Sequence, residues 1–160
     1  MTLIEIKDWK NQMVELAKTN LRRDGFLAPV TLMLIEQEGE IGMAVYEMNM
    51  SSVESKNMDV MKIKMITTTN KVLALLMMSE TWMRVPKQEE IDAKKVIAPS
   101  ESDDKDEALM ITLETNAVSE LQIHKMIRNE SDEIIEFEQI SDEKGGNYIG
   151  RFSNMLAKLN

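Results

Sequence analysis

The 160-residue chain contains no cysteine, which removes disulfides, thiolate metal sites and cysteine nucleophiles from the range of chemistries. It has a single histidine, and it lacks GxGxxG, Walker, HExxH and G-x-S-x-G patterns. These gaps imply no cofactor, no resident metal and no residue with a recognisable catalytic role. The longest uninterrupted apolar run, Val72 to Met78, falls far short of the ~20 residues that cross a bilayer. At the start, Glu5, Lys7 and Asp8 stand where a signal peptide needs an apolar stretch. The expectation is a cytoplasmic protein of one domain, 1–160, with no membrane contact.

Positive charge is scarce in one half. Residues 86–160 carry 9 basic and 17 acidic side chains, so most of the net charge of −9 lies there. Such a field repels phosphate backbones, which argues against general nucleic-acid binding. The basic trio Lys18, Arg22 and Arg23 is too small to reverse that.

What is present is a pattern of helices and strands. Ile6, Trp9, Met13, Leu16 and Ala17 recur at helical spacing, predicting a helix over 3–22 that Asp24-Gly25 stops. Residues 26–35 and 41–48 read as a hairpin turning at Glu38-Gly39-Glu40, with Pro29 at an edge or entry position. Ser51 or Ser52 caps a second helix over 53–68, and Ser51 with Glu54 fits a capping box. A long strand, 71–85, reads as central because its first half is apolar on both faces. An acidic connection at about 86–106 follows, with a short helix or strand at Ile91–Ile97. Three strands, 107–115, 118–128 and 133–140, are joined by short turns. Gly145-Gly146-Asn147 breaks the chain before a closing helix through Phe152, Met155, Leu156 and Leu159. Short turns between successive strands predict an α+β fold: a mostly antiparallel sheet of five to six strands packed by about three helices, two-layer, with the helices on one face.

Each candidate site has a plainer rival. Nine of the fifteen methionines fall between Met43 and Met83. Thioethers bind Cu(I), but Met58, Met61 and Met65 at helix spacing and Met77-Met78 in a strand read first as core filling, and second as an exposed contact face. His124 shares the polar side of its strand with Glu120 and Gln122, so it is predicted to meet solvent rather than serve as a base. Asp103, Asp104, Asp106 and Glu107 lack the glycine and alternating ligands of a calcium loop. The Glu5-x-Lys7 and Glu54-x-Lys56 pairs fall in helices, where nuclease chemistry needs a strand.

The strongest cleft candidate is Glu80, Trp82 and Arg84, which project to one side at the end of the central strand. Together they offer a carboxylate, a stacking indole and an anion-holding guanidinium. Its rival is a packed tryptophan beside an ordinary ion pair. Asp24 belongs either to this group or simply to a turn.

Three segments carry a resemblance: Arg23-Asp24-Gly25-Phe26-Leu27-Ala28-Pro29, Ser79-Glu80-Thr81-Trp82, and Pro99 to Asp103 running into Asp106-Glu107-Ala108-Leu109. In that order the chain resembles a diffuse family of small uncharacterised proteins of bacteria, archaea and phages, which share a dG-x-x-x-P turn, a sEaW strand end and a pS…Eal stretch. Thr81 departs from the usual alanine, and no arginine precedes Glu107. The family has no known activity, so the resemblance implies a shared fold and a shared place for Asp24, Glu80 and Trp82. Three functions remain as expectations. The first is a non-catalytic interaction or ligand-binding protein whose partner is a protein or a second copy. The others are a metal-assisted hydrolase using Asp24 and Glu80, and an acidic decoy imitating nucleic acid.

Overall fold

A computed structural model describes residues 1–144 and 155–156. Helix α1, Leu3–Asp24, starts from a reciprocal cap: Thr2 accepts from the Glu5 amide and the Glu5 carboxylate accepts from the Thr2 amide. Gly25 ends it at φ 78°, donating to the Leu21 carbonyl at 2.9 Å. The face it buries is Ile6, Lys10, Val14, Ala17 and Leu21. Leu16 is exposed, while Trp9 and Met13 sit half-buried at one margin. The expected stripe was rotated because Lys10, a residue that patterning assigns to solvent, occupies the middle of the real one.

Strands β1 (Val30–Gln37) and β2 (Glu40–Glu47) form a hairpin. Its two turn residues, Glu38 (φ 54°) and Gly39 (φ 86°), both take the positive φ of a tight hairpin turn. Helix α2 spans Val53–Thr69 and is capped by Ser52, whose hydroxyl accepts from the Ser55 amide, so the Ser51 box is not the one used. The central strand β3 (Lys71–Met83) pairs with β1 and with β4 (Asp106–Thr115). The connection before β4 holds a single helical turn, α3 (Gln88–Asp92), and a 3-10 turn, Pro99–Glu101. Strands β5 (Ser119–Arg128) and β6 (Ile134–Lys144) complete a six-stranded, wholly antiparallel sheet of order β2-β1-β3-β4-β5-β6. The fold is α+β, as the alternation predicts. The Gly145-Gly146-Asn147 break and the closing helix lie outside the described residues.

Helix α1 packs one face of the sheet, against Leu32, Leu34, Leu76, Met78, Leu109, Ile111 and Leu113. Helix α2 departs from the one-face expectation. Its Ile63 lies on the opposite face with Met33, Leu75 and Met77, because β1 and β3 are apolar on both sides. A register shift beside Leu34/Ile35 puts the neighbouring Leu73 and Ala74 both on the α1 side. Met155 and Leu156 are buried on the α2 side. Their amides donate to Glu114 at 2.9 and 3.0 Å, and Thr67 donates to the Met155 carbonyl.

The methionine trio corrects the core reading. Met58, Met61 and Met65 point outward, at 51, 66 and 63 % exposure. The buried stripe of α2 is Asp59, Ile63 and Thr67. Asp59 accepts from the Tyr46 hydroxyl and the Asn49 amide, both at 2.6 Å, which repays its desolvation. Burial, reinforced by the bond to Asp59, pushes the Tyr46 hydroxyl up to about 12.

His124 is also corrected: it is buried. The polar side of β5 turns inward beneath α1, since Glu120 lies opposite Leu113 and His124 opposite Leu109. Lys7 and Lys10 of α1 meet Glu120 there at 2.9 and 3.0 Å. Burial pushes the Glu120 carboxyl up, but hydrogen bonds from the two lysines outweigh that, leaving it below the usual carboxylate range. No helix among the described residues is long and apolar enough to cross a membrane.

Candidate functional site

The segments around Asp24 and Glu80 meet at the end of the sheet beyond the C-terminus of α1. Glu80 accepts the Leu27 amide, which ties β3 to the turn after Gly25. Trp82 lies opposite Glu107 on β4, and Arg128 of β5 donates to Glu107 at 2.6 Å. Partial burial pushes the Glu80 carboxyl up; the Leu27 N–H opposes this, Glu107 adds to it, and Arg128 opposes it in turn. Trp82 is 48 % exposed, with the Lys105 ammonium 4.8 Å from its ring centroid, a cation–π contact.

Two of the four expected residues are committed elsewhere. Asp24 is held by Arg23 through bonds of 2.7 and 2.6 Å, and that guanidinium lowers its carboxyl. Arg84 lies past the end of β3 and grips Glu90 in a two-pronged pair of 2.8 and 2.9 Å, with the Ile97 carbonyl as a third acceptor. Among the described residues no three His, Asp or Glu side chains converge as a metal requires. The two acids that open β4 are paired with cations: Asp106 faces Lys125 at 2.8 Å, and Glu107 faces Arg128. Arg128 and Lys105 were not singled out from the sequence, because neither belongs to a motif. Their roles arise from pairing between β4 and β5 and from the loop before β4.

A second feature is apolar. In the described sheet β2 is an edge strand. The Met48 amide donates to Pro29 at 2.8 Å. The alternation of an antiparallel ladder therefore turns the amides and carbonyls of Ile41, Met43 and Val45 away from β1. Their side chains are 43, 51 and 63 % exposed. They lie on the α1 face, beside Leu32 and Leu34, but α1 does not reach them. The α1 flank bearing Lys7 and Arg22 faces β5 and Phe137 of β6, so the opposite flank, with Trp9, Met13 and Leu16, faces β1 and β2. An open depression of about 960 Å³ on the same hairpin includes Glu38 and Glu40 in its lining.

Comparison with family models, with curated proteins and with solved structures gives no match for this chain.

Proposed function

We propose that this chain is a non-catalytic interaction protein that associates with itself through the edge of β2. The observation that carries the reading is that edge: an eight-residue strand with outward backbone groups and three exposed apolar side chains. Open apolar edges invite strand addition, and folded proteins ordinarily charge, bend or cover them. The hydrolase and decoy readings lack comparable support. Asp24 is spent on Arg23, and Asp106, Glu107 and Glu120 are spent on lysine or arginine. We place the protein in the cytoplasm, a compartment that suits a chain without cysteine. Sedimentation equilibrium tests the association: the expected mass is twice the 18.3 kDa of one chain, and a single-chain mass up to high micromolar concentration ends the reading.

A further inference from the structure

Resting on that self-association, we infer its register: two β2 strands pair antiparallel about a two-fold axis at Met43, each Met43 facing its own counterpart. Three constraints select this arrangement. The first is backbone parity. Only odd-numbered residues of β2 direct N–H and C=O outward, so odd must face odd. Registers that set an odd residue against an even one, including the one opposing Glu40 to Glu47, have no hydrogen bonds to form.

The second constraint is side-chain matching. With Met43 on the axis, Ile41 faces Val45 of the second copy, and Val45 faces its Ile41. Each of these pairs, and the Met43 pair, exchanges both N–H···O bonds. Sliding by one pair toward Glu47 sets Ile41 against a carboxylate. Sliding the other way sets Val45 against Gly39, whose φ of 86° belongs to the turn rather than the strand.

The third constraint is charge and space. Each copy carries −9, yet Ile41 to Tyr46 is uncharged, so the paired segment itself sets no charge of one copy against a charge of the other. In the inferred register Glu40 meets Tyr46 and Glu47 meets Gly39, and no like charges stand opposite. The other face is clear as well: Gly42 is exposed, and among the described residues a Cβ there would meet nothing within 4 Å. A closed, self-complementary pairing of this kind stops at two copies.

The chain's lack of cysteine makes the test direct. Single substitutions Met43→Cys, Ile41→Cys, Val45→Cys and Ala44→Cys are oxidised and read as cross-linked dimer, each variant first matched to wild type by circular dichroism. Facing residues in a hydrogen-bonded pair lie ~5.5 Å apart between Cα atoms, within disulfide reach. The expected result is dimer from Met43→Cys alone, at a rate at least ~10-fold above Ala44→Cys. Ile41→Cys and Val45→Cys should link when mixed and not singly. If wild type sediments as a dimer while folded Met43→Cys stays unlinked, or Ile41→Cys links by itself as fast, this register is wrong and self-association stands. If wild type is monomeric, both fall. A dimer that disperses with a strand-forming peptide of another sequence, and that Met43→Cys never cross-links, overturns the register in favour of a foreign strand.

Discussion

In the described sheet strand β6 lies at one side with Glu136 and Glu138 exposed, and its pairing with β5 slips between Ile123 and His124 and again between Ile127 and Arg128. Strand β2 closes the other side with an unbroken register against β1 and no charge between Ile41 and Tyr46. Charges and bulges are the devices that stop a further strand from adding. The β6 edge has charges within the strand and both slips; β2 has charges only at its ends, Glu40 and Glu47, and no slip. The roof above them differs in the same sense. Over β5 and β6, α1 extends Lys7, Lys10, Lys18 and Arg22, which reach Glu120 and the Phe137 ring. Toward β2 it turns Trp9, Met13 and Leu16. One flank of α1 is tied to the sheet by ions, and the flank toward β2 is apolar.

The largest expected effect tests the ion-tied flank. Glu120→Ala strands Lys10 in the interior without a counter-charge, which should cost ~3–5 kcal/mol in urea unfolding while leaving association at β2 unchanged. A loss under ~1 kcal/mol would mean that the lysines do not hold α1 over β5. At the β2 edge, Val45→Lys should weaken dimerisation ~100-fold, close to 2.8 kcal/mol at ~1.4 kcal/mol per decade, read by sedimentation. Unchanged mass would move the contact elsewhere on the chain.

Acidification should separate the two sides as well. The Glu120 carboxyl is depressed in the folded state, so its contribution is complete above its unfolded value of about 4.3 and disappears as pH falls through the lower folded value. The stability gap between wild type and Glu120→Gln should therefore narrow only in acid; a gap that stays constant would contradict the ion pairing. The smallest effect is expected at Met61→Glu, within ~0.5 kcal/mol of wild type because the side chain faces water. A core methionine would lose roughly 2–5 kcal/mol on truncation to alanine.

Local chemistry made the hairpin legible: Glu38-Gly39 between alternating strands names its own turn, and Pro29 marks the entry to β1. The central place of β3 followed from an apolar run on both faces. What stayed hidden depends on partners far along the chain. Lys10 looks like a surface residue until Glu120, more than a hundred positions away, lies beneath it. Asp59 looks like a surface carboxylate until Tyr46 and the Asn49 amide enclose it. Patterning that sends Asp59 outward necessarily turns the methionines of α2 inward. The corner at Glu80 was legible as a meeting of segments. The commitment of Arg84 to Glu90 was not, since it needs the path of the connection after β3. Which strand lies at the edge was not legible, since it depends on β1 crossing to β3 and leaving β2 outermost in the described sheet.

The most direct test of the bare-edge claim is amide hydrogen exchange at Ile41, Met43 and Val45, followed as protein concentration rises. Their N–H groups point away from β1, so exchange should be fast in dilute solution and slow together as dimer forms, while those of Gly42 and Ala44, bonded to β1 throughout, change little. Exchange at the three outward amides that stays fast in a sample shown to be dimeric would contradict the account.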